Sequence, residues 1–146
     1  MSDVYYYFKG KAFWAKIKNP DLKYECRSLD LHFDDESYQM FKDSGLQLKV
    51  KETEDGSSYV RLRRPLTRVT KDKEVIDVGP PQVLLKNDAG DYVPFDDFIG
   101  NGSDVIAKVR VYETSRGKGH ELVVVAIDNL VPYEQAEEVG GEDLPF

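Results

Sequence analysis

The sequence is short of the groups on which several protein classes depend: its 146 residues include one cysteine, two histidines and one tryptophan. Because Cys26 stands alone, the chain can form neither an internal disulfide nor a thiolate metal cluster. No apolar run approaches the roughly 20 residues that span a bilayer, and the first residues lack the basic and apolar regions of a secretory signal. We therefore expect a cytoplasmic protein without a membrane partner.

Catalytic groups are scarce as well. His32 and His120 have no candidate nucleophile beside them, and we expect both at the surface. The acidic clusters at residues 34–36 and 96–97 contain ligands suited to Mg²⁺. However, acids at a helix start favour the helix dipole, which accounts for the first cluster, and the second falls in a loop. We expect that the protein is not an enzyme and that it holds neither a metal nor a cofactor. A metal-dependent nuclease remains as an alternative hypothesis.

Negative charge is concentrated at the C-terminal end. The formal net charge is −7, yet residues 134–146 hold acids and no base. Five of the 27 acids of the chain lie in this segment, which leaves 22 acids against 20 bases in the remaining residues. The low pI therefore describes the tail and not the remaining surface. The segment also lacks an apolar period, which predicts disorder. The chain therefore divides into one domain at residues 1–133 and an acidic tail at residues 134–146.

Alternation with a period of two, typical of half-buried strands, dominates the predicted domain. The clearest strand covers residues 25–33, with Leu29 and Leu31 on one face. A short helix is expected next, with Asp34 or Asp35 as its N-cap and Gly45 at its C-terminal end. A hairpin is then predicted, with strands at residues 46–51 and 59–63 and a turn at residues 55–56.

The second half of the domain predicts further β-structure. Residues 67–77 are polar and without a period, so a mobile loop is expected, whereas residues 83–95 predict another hairpin. The pattern ends with a glycine-rich corner at residues 98–103, a strand at 105–112, a basic loop at 115–120 and a fully buried strand at 122–130. With one short helix and many strands, the chain is predicted to be mainly β: an OB-fold Greek-key barrel, with a small β-sandwich as the alternative.

The outward face of the 46–65 hairpin is the first candidate site. It places Lys49 and Lys51 beside Tyr59, Arg61 and Arg63 once the apolar residues turn inward. Like charges on neighbouring strands are unfavourable unless an anion relieves them. Single-stranded DNA fits that role, since bases stack on tyrosine in any sequence and phosphates meet arginine and lysine. A solvated strand face is the alternative.

Aromatic and basic residues also interleave over residues 5–18. Trp14, Lys16 and Lys18 share one parity and can form a groove wall, while the sequence does not decide which other aromatics are core. Further along, Lys108, Arg110 and Tyr112 face outward from the 105–112 strand. Arg116 and Lys118 lie in a glycine-containing loop between the last two barrel strands, where backbone amides can approach a phosphate. We expect these residues, together with those of the first site, to contact DNA.

The tail is the last candidate site. A solubilising end is its simplest interpretation, but the sequence closes with Asp143-Leu144-Pro145-Phe146, where an aromatic and a carboxylate lie together. Such a tip can dock in an apolar pocket rimmed by cations. The tail acids could also compete with DNA for the cationic face.

These patterns resemble the single-stranded DNA-binding proteins of short-tailed bacteriophages, which act in phage replication and recombination. The similar stretches are residues 15–21, 30–31, 99–103, 108–112 and 130–133, together with the acidic tail ending in phenylalanine. The resemblance implies an OB barrel with a helix inserted after an early strand, sequence-independent binding of single strands, and a location in the host cytoplasm.

The same resemblance implies roles for the tail, which in the family contacts the replicative polymerase and the helicase-primase. Phe146 is then the docking residue, and the acids of residues 134–143 form an electrostatic arm: Glu134, Glu137, Glu138, Glu142 and Asp143. Family members often dimerise, so a homodimer is an expectation, although the tail here is shorter and holds fewer acids. The principal alternative to DNA binding is an OB-like protein-interaction adaptor.

Overall fold

Ten strands and one helix are found in the computed structural model, which describes residues 4–21, 25–54 and 56–132, without the side chains of residues 19–21. The order of the main sheet is β3-β4-β2-β1-β9-β10-β7-β8. Its strands are β1 (Val4–Asp21), β2 (Cys26–Phe33), β3 (Lys51–Glu52), β4 (Ser58–Pro65), β7 (Gln82–Lys86), β8 (Tyr92–Pro94), β9 (Ser103–Thr114) and β10 (Gly117–Asn129). The short strands β5 (Thr67–Val69) and β6 (Val75–Asp77) pair separately.

The long strand β1 organises the barrel, because its first part pairs with β9 and its later part with β2. The sheet curls around a core drawn from every long strand, in which the largest fully buried side chains are Phe8, Leu29, Leu31, Leu62, Leu122 and Ile127. Period-two alternation holds along β9, where Val105, Ala107, Val109 and Val111 are buried as predicted.

Strands β4 and β10 face each other across a seam. In the part of the chain that the structure describes, no backbone ladder joins them, so the sheet is not closed. Side chains span the seam instead: the Arg63 N–H donates to His120 Nε2 at 3.1 Å, and Arg64 donates to the Leu122 carbonyl at 3.1 Å. The predicted mainly β, OB-type fold with one short helix is confirmed, with this open seam as its particular feature.

Helix α1 (Asp35–Ser44) lies between β2 and β3, where the sequence predicts it. The Asp34 carboxylate accepts a hydrogen bond from the Ser37 N–H at 2.7 Å, and Gly45 ends the helix in the left-handed region with φ of 78°. Phe41 is buried and packs edge-on against Phe8. The helix therefore covers one end of the core.

No described helix has the length and apolar character needed to cross a membrane.

Two segments, at residues 46–50 and 67–77, differ from the predicted elements. Residues 46–50 keep the predicted alternation, since Leu46 is buried and Leu48 packs against the core, but strand pairing begins only at Lys51. The chain leaves the helix at Gly45 and packs onto the core before it reaches β4. Residues 67–77 are not the predicted mobile loop: they form the β5–β6 hairpin, in which Val69 pairs with Val75.

The last strand also begins earlier and is less buried than predicted. The expected basic loop at residues 115–120 shrinks to a tight turn, because β10 starts at Gly117. The expected fully buried strand alternates instead: Leu122, Val125 and Ile127 are buried, whereas Val124 is half-buried. A bulge between Leu122 and Val124 accounts for the apolar run, since it shifts which valines face inward.

Candidate nucleic-acid interface

The outer surface of β4, β2 and β1 brings the predicted hairpin residues together with residues of β1. Antiparallel pairing sets them in cross-strand rows, and residues directly opposite each other project from the same face. The rows are Lys51–Tyr59–His32–Lys11, Arg61–Asp30–Phe13 and Arg63–Ser28–Lys16. We call this surface the groove face. Tyr59, Arg61 and Arg63 thus lie on one surface, with Lys51 opposite Tyr59.

Three aromatic rings cross the groove face as a stack. The Tyr59 and His32 rings are nearly parallel, with centroids 4.6 Å apart and an interplanar angle of 7°. The His32 ring lies 4.3 Å from the Phe13 ring at 46°. Because the rings come from three neighbouring strands, they form a platform that the sheet holds in place. Such a platform can stack bases without regard to sequence.

The cations of the groove face differ in how they are held. Arg61 Nε bonds the Asp30 carboxylate at 2.9 Å, and the Asp30 side chain is only 6% exposed. Because a buried carboxylate needs a partner, this pair fixes the orientation of Arg61. Lys11 bonds Asp104 at 2.9 Å, and this hydrogen bond lowers the pKa of the Asp104 carboxyl. Arg63 is exposed.

An open groove of about 680 Å³ runs along this surface. Its floor includes Lys11, Phe13 and His32, while Thr53 near the β3–β4 turn and Asp128 on β10 also line it. The groove is open, and its lining combines rings and two lysines with the carboxylates of Asp34, Asp104 and Asp128. Its open shape suits an elongated, flexible ligand better than a compact one.

Trp14 extends the aromatic surface beyond the groove. It lies at a β-bulge with φ of 50°, in the left-handed region, and its N–H donates to Asn101 Oδ1 at 2.8 Å. The ring is 65% exposed. Together with Lys16, Asn101 and Pro132 it lines a second open groove of about 540 Å³. The side-chain amide of Asn101 thus holds the backbone geometry that presents the ring.

Lys18 shares the parity of Trp14, as predicted, but lies at a different cavity. Its ammonium is 5.3 Å from the Phe98 ring centroid and 3.4 Å from the Asp96 carbonyl oxygen. That cavity has a volume of about 180 Å³ and is lined mainly by proline and aromatic or aliphatic side chains.

A second aromatic and basic surface lies on the first part of β1 and on β9. Tyr5 and Tyr7 are 47% and 52% exposed, and the Lys108 ammonium lies 4.8 Å and 5.7 Å from their ring centroids. The Arg110 guanidinium lies 4.7 Å from the Tyr112 ring. We call these five residues the tyrosine face. The predicted contacts Lys108, Arg110 and Tyr112 therefore belong to this face and not to the groove face.

Glu121 on β10 organises the arginines beside the tyrosine face. Its carboxylate lies 3.2 Å from Arg110 and 3.7 Å from Arg64, and it also bonds Arg68 of β5. The Glu121 side chain is 8% exposed. One nearly buried acid thus joins β4, β5 and β9, and the cluster keeps a surplus of positive charge.

The remaining predicted contacts lie apart from both faces. Lys49 is exposed on the extended segment before β3, and Arg116 lies in the β9–β10 turn. Lys118 is a strand residue whose ammonium donates to the Ser44 carbonyl at 2.9 Å, where a cation favours the helix dipole. The predicted tail residues Glu137, Glu138, Glu142, Asp143 and Phe146 lie outside the described residues.

Both histidines are half-buried. His32 lies at the surface, as expected, within the row of rings on the groove face, whereas His120 lies at the seam and accepts a hydrogen bond there. Burial and, to a lesser extent, the charge of Arg63 lower the pKa of His120 to about 4. Tyr5, Tyr7 and Phe13 were not predicted to face outward, although alternation along residues 4–13 separates them from the inward Phe8.

Within the described residues, no group of three or more His, Cys, Asp or Glu side chains could hold a metal ion. Neither protein-family models nor curated protein sequences give a match to this chain.

Solved structures do match. The crystal structure of gp2.5, a single-stranded DNA-binding protein of bacteriophage T7, superposes with a TM-score of 0.65 at 16% identity, over 93% of this chain and 92% of that one. The single-stranded DNA-binding protein of bacteriophage Enc34 in complex with single-stranded DNA gives a TM-score of 0.53 at 12% identity, over 90% and 88%. The C-terminally truncated Enc34 protein gives a TM-score of 0.54 at 12% identity, over the same shares. The resemblance expected from the sequence is thus confirmed for the architecture: the chain shares its fold with single-stranded DNA-binding proteins of bacteriophages.

Proposed function

We propose that this protein binds single-stranded DNA without regard to sequence. The observation that carries the proposal is the row of rings of Phe13, His32 and Tyr59, which lies beside an open groove lined by Lys9 and Lys11. Lys51, Arg61 and Arg63 lie on the same face as the rings. Stacked bases in a duplex cannot reach such a platform, whereas the bases of an unpaired strand can.

The structural neighbours support the same conclusion. Two proteins with this fold are named for binding single-stranded DNA, and one was solved with that ligand. At 12–16% identity they share the architecture with this chain and not its side chains. The specific contacts proposed here therefore depend on this chain's own rings and cations. A binding protein, and not an enzyme, is the function that these residues favour.

The biological setting we propose is phage DNA replication and recombination in the host cytoplasm. This follows from the resemblance to the phage family, in which such proteins cover exposed strands. A homodimer also belongs to this proposal. Oligomeric state can be measured directly by sedimentation of the full chain.

The acidic tail is proposed to dock partners and to regulate DNA binding. The last described residues, Val131 and Pro132, line the groove of Trp14 and Lys16, so the chain leaves the domain beside two proposed DNA contacts. We propose that the tail acids compete with DNA for cations such as Lys16. Phe146 is proposed to engage the replicative polymerase and helicase-primase.

A titration of the full chain with single-stranded and duplex oligonucleotides tests the function. Trp14 is the only tryptophan, so its emission reports the groove beside the platform. We expect quenching by oligo-dT that weakens between about 50 and about 200 mM salt, and much weaker binding of duplex. An adaptor that binds no DNA predicts unchanged emission and no mobility shift with oligo-dT, and that result would reject the proposal.

A further inference from the structure

The outward side of β1 joins the groove face to the tyrosine face. Before the bulge at Trp14, its outward side chains alternate with the inward Tyr6, Phe8 and Ala12. Each outward position is a ring or a lysine: Tyr5, Tyr7, Lys9, Lys11 and Phe13. A row without any acid or small polar residue connects the two faces.

We propose that one strand of DNA follows this row and is held at both ends, by the groove face and by the tyrosine face. The inference rests on the proposed function and adds a second stacking site, at Tyr5 and Tyr7. It also assigns the lysines between the two faces to phosphates.

The tyrosine face has the geometry that such a site needs. Tyr5 and Tyr7 lie on the same side of β1 and are about half exposed, which leaves ring area for a base. Lys108 lies opposite Tyr7 on β9, and its ammonium is close to both rings. A phosphate bound at Lys108 would therefore place the neighbouring bases beside the tyrosines. Arg110, held by Glu121 and opposite Tyr5, adds a fixed cation.

The spacing between the two ends sets the length of DNA required. Tyr7 and Phe13 are separated by six residues of strand, or about 20 Å at roughly 3.3 Å per residue. A stacked strand advances about 3.4 Å per nucleotide, so bridging this distance takes about six nucleotides, and fewer if the strand is extended. Lys9 and Lys11 line the groove between the ends. Short oligonucleotides can then occupy one end only.

A length series separates one site from two. Oligo-dT of about 3 to 16 nucleotides is titrated against the wild-type chain and the Tyr5→Ala/Tyr7→Ala variant. We expect the affinity of the wild type to rise with length until both ends are filled. In the variant the rise should stop at a shorter length, with at least about fivefold weaker binding of the longest oligonucleotide. Binding of the shortest should change less than about twofold.

A second variant tests the phosphate contact without removing a ring. Lys108→Gln should reduce the steepness of the log–log salt dependence by about 0.7. Lys42→Gln is its matched control: the Lys42 ammonium also lies over a tyrosine, 4.9 Å from Tyr38, but on helix α1, and it should leave the slope unchanged. Binding at both ends is contradicted if the Tyr5→Ala/Tyr7→Ala variant keeps the wild-type dependence of affinity on oligonucleotide length. It is also contradicted if Lys108→Gln keeps the wild-type salt slope. A wild type that binds no oligonucleotide overturns the proposed function itself.

Discussion

Tyr59 stands at one end of a ring stack whose other members are fixed by neighbouring strands. Replacing Tyr59 by alanine should remove one stacked base and weaken binding of oligo-dT by about 1–3 kcal/mol. Tyr59→Phe keeps the ring and should bind nearly as the wild type does. Fluorescence anisotropy with labelled oligo-dT measures both. Wild-type affinity of Tyr59→Ala would show that no base stacks there.

Alternation predicted individual side chains well wherever a strand is regular. It placed Val60 and Leu62 inward and Tyr59 and Arg61 outward, and both aliphatic residues are fully buried. It could not show that Phe13 and Trp14, adjacent in sequence, both face outward. That outcome depends on a bulge held by Asn101, a residue 87 positions away. The identity of the ring neighbours across strands, such as His32 beside Tyr59, likewise depends on register.

At the scale of elements, helix α1 was predictable because its signals are local. Asp34 caps its start and Gly45 its end, each within a turn of the helix that it bounds. The β5–β6 hairpin was not predictable. Its strands have three residues each, and Val69 and Val75 are exposed, so no burial period marks them. What anchors it is the bond from Arg68 to Glu121, which lies far along the sequence.

The β4–β10 seam makes stability depend on the protonation of His120. Its Nε2 accepts the Arg63 N–H, which requires the neutral ring, and its pKa falls from 6.5 to about 4 in the folded protein. Between these values the unfolded chain binds a proton that the folded protein does not. The free energy of unfolding should therefore decrease as the pH falls from about 6.5 to about 4, by about 3 kcal/mol.

Urea unfolding across this pH range measures the effect, and a variant isolates it. His120→Gln retains an acceptor but does not titrate, so its unfolding free energy should vary less with pH over the same interval. An equally steep decline in the variant would assign the pH dependence to other groups. The comparison uses differences between two pH profiles, so a modest loss of stability in the variant does not affect it.

At the scale of the whole molecule, the charge distribution matters more than the net charge of −7. If about five phosphates are neutralised, the logarithm of the binding constant should fall with the logarithm of salt concentration with a slope of about −3.5. Titrations with oligo-dT at several salt concentrations give this slope. A salt-independent affinity would contradict an interface built on lysine and arginine.

The tail should oppose DNA binding through the same charges. Removing residues 134–146 takes away acids that are proposed to compete with DNA, so oligo-dT should bind more tightly at low salt, and the gain should shrink as salt screens the charges. Phe146→Ala is the control, because it leaves the acids in place and should keep the affinity of the full chain. Unchanged or weaker binding after truncation would contradict competition by the tail.

The overall class was predictable because composition and alternation reflect the whole chain at once. A mainly β fold with one helix follows from the many segments that alternate with a period of two, and Lys51–Tyr59 pairing follows from one hairpin. The division of the candidate contacts between two faces did not follow, because it depends on β9 pairing with the first part of β1. That pairing joins residues about a hundred positions apart, and local sequence patterns do not predict it.

Three arginines surround Glu121, so replacing one arginine and replacing Glu121 should have unequal effects on the folded protein. Loss of Arg64, Arg68 or Arg110 leaves the acid with two other partners. Loss of the acid leaves three cations close together in a partly buried position, where charge repulsion and lost solvation act in the same direction. Related sequences should accordingly vary at any one of the arginines while keeping an acid where Glu121 stands.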